Sequence, residues 1–340
     1  MKSLKTALVI SFLVLVVSFL IPSLLVLPYS NERAGAKLDE EKSSTEQSVD
    51  KANPAAEVAV LRTATNTVEK LQLEEYVEGV VASEMPAEFE EEALKAQALT
   101  ARTYIVNHLL SSKDDRIPQN ADVSDTVNHQ VYKNKQELKQ LWGKEFDWKM
   151  KKIKEAVEAT KGKILTYQDK PINASFFSTS NGYTENAEEY WSNSVPYLKS
   201  VESPWDADSP KFQDRKVFSV QEFQQKLNIR LENSNDVGTV TKRTSGKKVA
   251  EVSIAGKTFT GREIREKLGL QSTDFSWKRK GDTIIVSTKG YGHGVGMSQY
   301  GANGMAKEGK KYEEIVRHYY QGISISNANS YFDKIMASSQ

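Results

Sequence analysis

The segment that most constrains this chain is 90–110, EEEALKAQALTARTYIVNHLL, in which nothing interrupts a helix. Leu94, Ala98, Ala101 and Ile105 form one apolar stripe, and Phe89, Ala93 and Ala96 form a second. A helix apolar on two sides is stable only when the rest of its domain surrounds it, and its alanines let neighbouring backbones come close. Pro86 suits a first-turn position, and Glu90, Glu91 and Glu92 supply negative charge where the helix starts. Strand-like segments lie on both sides of this helix in the chain. The expectation is therefore an α+β domain with a mixed helix and sheet core.

Just upstream, Leu73, Val77 and Val80 recur at the spacing of one helix face, and the next position in the series is Glu84. Glu84 falls near the middle of the apolar arc, whereas Glu74, Glu75 and Glu78 fall outside it. Burial there favours the neutral carboxyl and raises its pKa. Because the residue before a proline resists the helical region, Pro86 ends this helix at Ser83 to Met85. Glu84 then sits at a helix C-terminus, where the macrodipole also disfavours negative charge. A carboxylic acid that holds its proton near neutral pH is what general acid catalysis requires. The competing account is an exposed last turn with a solvated carboxylate. Glu88 is either a second acid or a carboxylate of the next helix's first turn.

The chain has 340 residues, enough for one or two domains. Its 46 basic and 45 acidic residues nearly cancel, so bulk charge gives no attraction to nucleic acid. With no cysteine, disulfides, thiolate metal sites and a cysteine nucleophile are excluded. Lys2 and Lys5 precede an apolar run, 7–27, that is long enough to span a bilayer and longer than the usual core of a cleaved signal. The expected organisation is a cytoplasmic stub 1–6, a transmembrane anchor 7–27 kinked at Pro22, a disordered tether 28–57 and an extracytoplasmic domain 58–340. Cleavage after AGA at 34–36 is the alternative.

Within the domain, Val58–Arg62 resembles a strand, and Val68–Leu73 follows, leading into the first helix. A polar loop, 111–131, holds His129 near Asp122, Asp125 and Asn128, a pattern that turn chemistry explains better than a metal site. Residues 135–161 are a charged helical stretch, expected as a solvated outer helix. Two strands, 164–167 and 174–180, lead to the Asn181-Gly182 turn. In FFSTSNGYTENAEEYW, short polar side chains lie beside Tyr190 and Trp191, which suits either a sugar-binding groove or an ordinary hairpin end. Residues 206–287 are expected as a smaller α+β lobe, with Thr260 capping a helix that ends at Gly269. Finally, GYGHGVGMSQYGANGMAKEG (290–309) alternates glycines at 290, 292, 294 and 296. Its spacing fits neither a dinucleotide fingerprint nor a phosphate loop. His293 stands among those glycines with few side chains to pack it, which points to function. Gln299 and Tyr300 open a helix, and a further amphipathic helix runs from Tyr312 to Tyr320.

Three blocks in this order, EYVEGVVASEMPAEFEEEALKAQALTARTY, FFSTSNGYTENAEEYW with PYLKSVESPWD, and GYGHGVGMSQYGANGMAKEGKKYEEIV, resemble the stage II sporulation protein D family from about Val58 to Gly322. The resemblance implies a peptidoglycan lytic transglycosylase anchored in the mother-cell membrane and acting on septal peptidoglycan during engulfment. It carries the role of catalytic acid to Glu84. It also places Ser178, Ser180, Asn181, Tyr183, Thr184, His293, Gln299 and Tyr300 near a groove for glycan strands already stripped of peptides. The family's partners would be stage II sporulation proteins P and M. Some relatives carry zinc ligands in the loop after the central helix. Here Ser124, Asn128 and His129 stand at the matching positions, so neither zinc nor any other cofactor is expected, and polar contacts must hold that loop. The wider family also includes amidase enhancers, which makes a non-catalytic glycan-binding scaffold the alternative.

Overall fold

The computed structural model describes residues 56–111, 117–118, 120–191, 193–232 and 236–338. The expected stub, the anchor 7–27 and nearly all of the tether lie outside these residues. Ala56 and Glu57, placed with the tether, belong instead to the folded domain, because a strand begins at Glu57. Among the described residues no helix is long and apolar enough to cross a membrane.

The central helix spans Glu91–Leu109. Pro86 does not sit in its first turn, since the chain from Pro86 to Glu90 makes a separate turn with the Phe89 amide donating to the Pro86 carbonyl at 3.0 Å. Leu94, Leu99 and Ile105 have no exposed surface. Around the helix pack Leu73–Glu84, Phe146–Ala159, Gln299–Lys307, Tyr312–Tyr319 and the strand Lys163–Tyr167. Each fully buried leucine or isoleucine contributes about 1.5–3 kcal/mol relative to exposure. A polar anchor is added at Arg102, which is wholly buried. Its guanidinium donates to Glu74 Oε2 at 2.6 Å and to the carbonyls of Val157 and Thr160 at 3.1 and 2.9 Å. One side chain thus joins three elements.

The architecture is α+β. The strand Glu57–Arg62 pairs antiparallel with Thr67–Gln72 and parallel with Val123–Ser124. Lys163–Tyr167 pairs antiparallel with both Lys170–Pro171 and Ser324–Asn327. The stretch 135–161 differs from its expectation. It forms two helices, Lys135–Trp142 and Phe146–Ala159, broken at Gly143, whose φ is +51°. Leu138, Met150, Ile153 and Val157 are buried in the main core, so this face is packed rather than solvated.

A second hydrophobic cluster gathers Phe218, Phe223, Val252, Ile264, Phe275, Ile284 and Val286, all within 206–287. Two three-stranded antiparallel sheets build it, together with the helices Val220–Leu227 and Gly261–Leu268. Thr260 closes a capping box with Glu263, and Gly269 ends the helix in the left-handed region, as the sequence predicts.

Candidate active site around Glu84

Glu84 is the last helical residue of Leu73–Glu84. Met85 follows with φ −126° and ψ 135°, the extended conformation that Pro86 imposes. Burial raises the Glu84 carboxyl above the usual range. The Val131 amide, donating to Oε1 at 3.1 Å, and the charge of Lys133 oppose this in part. The helix-terminal carbonyl of Glu84 accepts from Gln299 Nε2 at 3.0 Å. Such carbonyls have no partner within the helix, so Gln299 fixes the end that carries the acid.

The glycine-rich stretch reaches Glu84 through the segment 176–185. Met297 and Ser298 pair in parallel with Phe176 and Phe177, and further bridges join Thr179 to Tyr291 and Glu185 to Val295. At Gly296, with φ +80°, a Cβ would collide with the Ser175 carbonyl, so only glycine permits this approach. Ser298 then caps the helix Gln299–Lys307. Tyr300 donates its amide to the Ser178 carbonyl at 3.1 Å and meets Phe89 edge-on at 4.9 Å. Asn303 Oδ1 accepts from the Glu90 amide at 2.8 Å. Glu84, Gln299, Tyr300 and the Ser178 backbone are therefore brought together, with Ser178 and Tyr300 both half-buried.

The other expected groove residues sit differently. Ser180 and Thr184 have no exposed surface. Ser180 donates to Asp206 Oδ2 at 2.7 Å, and Thr184 Oγ1 accepts from the Val201 amide at 2.8 Å. Asn181 turns to the lobe, its Nδ2 donating to the Gly246 carbonyl and Asp274 Oδ2, both at 3.0 Å. Tyr183 offers its ring to Lys247 at 5.6 Å. His293 is not short of packing. Phe177, Tyr190 and Trp191 surround it with ring centroids at 5.5–5.7 Å, because the loop folds back onto two aromatic segments distant in sequence. The Val295 amide donates to its Nδ1 at 3.0 Å. Burial lowers its pKa to about 4, so the ring is neutral at physiological pH.

Glu88, the alternative acid, forms an ion pair with Lys149 at 2.8 Å that lowers its pKa, and it is largely exposed. It is suited to stay ionised. Two buried features escaped sequence reasoning. Asp206 has no exposed surface and accepts hydroxyls from Ser180, Ser203 and Ser298. Its one signal was its place in the quoted PYLKSVESPWD block. Lys248 and Glu185 face each other at 3.9 Å where the lobe meets the glycine-rich loop. Burial pulls the lysine pKa down and pushes the glutamate up. Nothing in the dipeptide Lys247-Lys248 distinguishes the exposed lysine from the buried one.

The loop after the central helix is held by polar contacts. Asp122 Oδ2 accepts from the Ala59 amide at 2.9 Å, and Asp125 pairs with Arg62 at 3.0 Å. Ser124 Oγ lies 2.8 Å from His129 Nδ1, and the His129 ring meets His108 edge-on at 5.2 Å. Among the described residues no three histidine, aspartate or glutamate side chains cluster as a metal site would require.

A family model described as stage II sporulation protein matches residues 61–167, which include Glu84. The stage II sporulation protein D of Bacillus subtilis (strain 168) is 56% identical over 326 residues, covering 94% of this chain and 95% of that protein. The protein of the same name from Bacillus amyloliquefaciens is 53% identical over 330 residues, covering 95% and 96%. The amidase enhancer of Bacillus subtilis (strain 168) is 29% identical over 305 residues, covering 74% of this chain and 40% of that protein. With more than half of its residues shared across nearly the whole of both chains, the protein belongs to the stage II sporulation protein D family.

Proposed function

We propose that the chain is a membrane-anchored lytic transglycosylase that cleaves bonds between N-acetylmuramic acid and N-acetylglucosamine in peptide-stripped peptidoglycan during engulfment. The observation that carries this reading is the Glu84 carboxyl, raised in pKa by burial at a helix end that Gln299 and Val131 hold in place. Glu84 donates its proton to the glycosidic oxygen as the bond to the anomeric carbon breaks. The C6 hydroxyl of the same muramic acid then attacks that carbon and returns its proton to the Glu84 carboxylate. A 1,6-anhydro end forms and the acid is regenerated. No water enters, so the second carboxylate of hydrolytic glycosidases is unnecessary. The pairing of Glu88 with Lys149 accords with a single acid.

In this reading the run 7–27 anchors the chain in the mother-cell membrane facing the septal wall, and stage II sporulation proteins P and M are its partners. The likeness to an amidase enhancer favours a second reading, a glycan-binding scaffold without catalysis. Mass spectrometry of peptide-free glycan strands treated with the full-length protein separates them. Anhydro-muramic ends support the transglycosylase, reducing ends indicate a hydrolase, and uncut but bound strands favour the scaffold.

A further inference from the structure

We propose that Asp206 is a positioning residue for Glu84, acting through Ser298 and Gln299; this rests on the proposed role of Glu84 as the acid. Asp206 lies in the short 3-10 turn Pro204–Asp208 and has no exposed surface. A buried carboxylate is costly unless it is paired and hydrogen-bonded. Among the described residues no lysine or arginine forms an ion pair with it. Its partners are three serine hydroxyls from three segments, Ser180 at 2.7 Å and Ser203 at 2.6 Å on Oδ2 and Ser298 at 2.5 Å on Oδ1, together with the Ser180 backbone amide. Burial raises the carboxyl pKa, and these donors oppose that by favouring the ionised form. Tyr319 closes the cluster, its hydroxyl 2.7 Å from Ser203 Oγ.

A carboxylate accepting three hydroxyls fixes the direction of each, because it can only accept. The consequence is largest at Ser298. Its single proton points at Asp206, which leaves its oxygen to accept the Gly301 amide and start the helix Gln299–Lys307. The next residue, Gln299, donates to the terminal carbonyl of Glu84, and Tyr300 packs on Phe89 beyond it. A side chain at Gly301 would collide with Tyr319 and Ser203 and lie 2.9 Å from Asp206 Oδ2, so the helix start rests directly on the cluster. Asp206 thus orients the one hydroxyl that caps the element bracing the acid. An asparagine would fill the same space but present donor hydrogens to hydroxyls that also donate. The helix start would then shift, Gln299 would release Glu84, and water would reach the carboxyl.

The test compares Asp206→Asn and Ser298→Ala with wild type, as full-length proteins. Cleavage of peptide-free glycan strands is measured beside titration of the Glu84 carboxyl carbon by NMR. Lys133 and Tyr76 are the charged or titratable neighbours that interact with Glu84, and neither variant alters them. Expected are kcat lower by about tenfold to a hundredfold with KM within about twofold, as for small misplacements of a reacting group. The Glu84 midpoint should also move down towards the ordinary carboxyl value as water enters. A merely structural role would leave that midpoint where it is. Folded variants with wild-type kcat and an unmoved midpoint overturn the proposal. Should Asp206→Asn fail to fold, Ser298→Ala carries the decision, since it removes the same link while keeping the aspartate. Should wild type fail to cleave, the transglycosylase reading falls, and the titration still decides whether Asp206 holds Glu84.

Discussion

Adding one methyl group at Gly79 should damage both stability and the acid site. Gly79 lies in the Glu84 helix against the segment whose Val131 amide reaches the carboxyl. A Cβ there would collide with Tyr132 Cε2, lie 2.6 Å from Cδ2 and 2.7 Å from the Lys133 carbonyl. Ordinary contact needs about 3.5–4 Å, so roughly 1 Å must be found. The Tyr132 ring has little freedom to yield, since it stacks on Tyr76 at 5.6 Å and lies beneath the Arg62 guanidinium at 5.0 Å. The carbonyl moves only if the backbone from 131 to 133 moves. Alanine gains about 1 kcal/mol of helix propensity over glycine. Overpacking on two fronts costs more than its usual minimum of about 1 kcal/mol and should approach or exceed 3 kcal/mol. The net expectation is destabilisation by about 2 kcal/mol or more, measured by urea unfolding, with cleavage reduced because Val131 is pushed away from Glu84. Gly79→Ala with equal or greater stability would refute the packing of that segment against the helix.

Further predictions test the frame around the site. Arg102→Met keeps most of the volume but strands Glu74 and three carbonyls, so unfolding should be easier by about 3–5 kcal/mol, the range for breaking a buried pair. Lys248→Met should cost a similar amount, about 3–5 kcal/mol by denaturant unfolding, because Glu185 is left buried beside the glycine-rich loop. Adding Glu185→Gln should recover part of that loss, and a double variant no better than the single would contradict the pairing. Burial holds the His293 pKa at about 4, below the ordinary histidine value of about 6.5, so the folded state binds fewer protons than the unfolded chain between those values. Its contribution is full above about pH 6.5 and is lost as pH falls towards about 4. Unfolding measured across that range should show the slope in wild type and a weaker one in His293→Gln.

Local signals in the chain located much of this site, and long-range ones were hidden. Pro86 ended the helix at Glu84 because a proline acts on its immediate predecessor, and Thr260 with Gly269 bounded a helix for equally local reasons. The two apolar stripes of 91–109 identified a buried helix, since periodicity reports burial directly. That same periodicity said nothing about Arg102, whose polar partners come from positions 74, 157 and 160. The charged stretch 135–161 reads as solvated because its apolar positions are diluted by lysines and glutamates, although Leu138, Ile153 and Val157 face the core. His293 looked unpacked beside its glycines, yet its neighbours arrive from positions 177, 190 and 191. Asp206 and Ser298 are separated by 92 positions, and no pattern within either segment announces their contact.

The central proposal is that Glu84, whose carboxyl pKa is raised by burial, acts as the general acid. Its most direct test is the pH dependence of glycan cleavage by wild type beside Glu84→Gln, with products identified by mass spectrometry. A carboxyl raised by burial predicts that wild-type cleavage falls as pH rises through the folded pKa of Glu84. It also predicts that Glu84→Gln, folded and still binding glycan, yields no anhydro-muramic ends at any pH. Anhydro ends formed by Glu84→Gln at the wild-type rate would place the acid elsewhere and contradict the account.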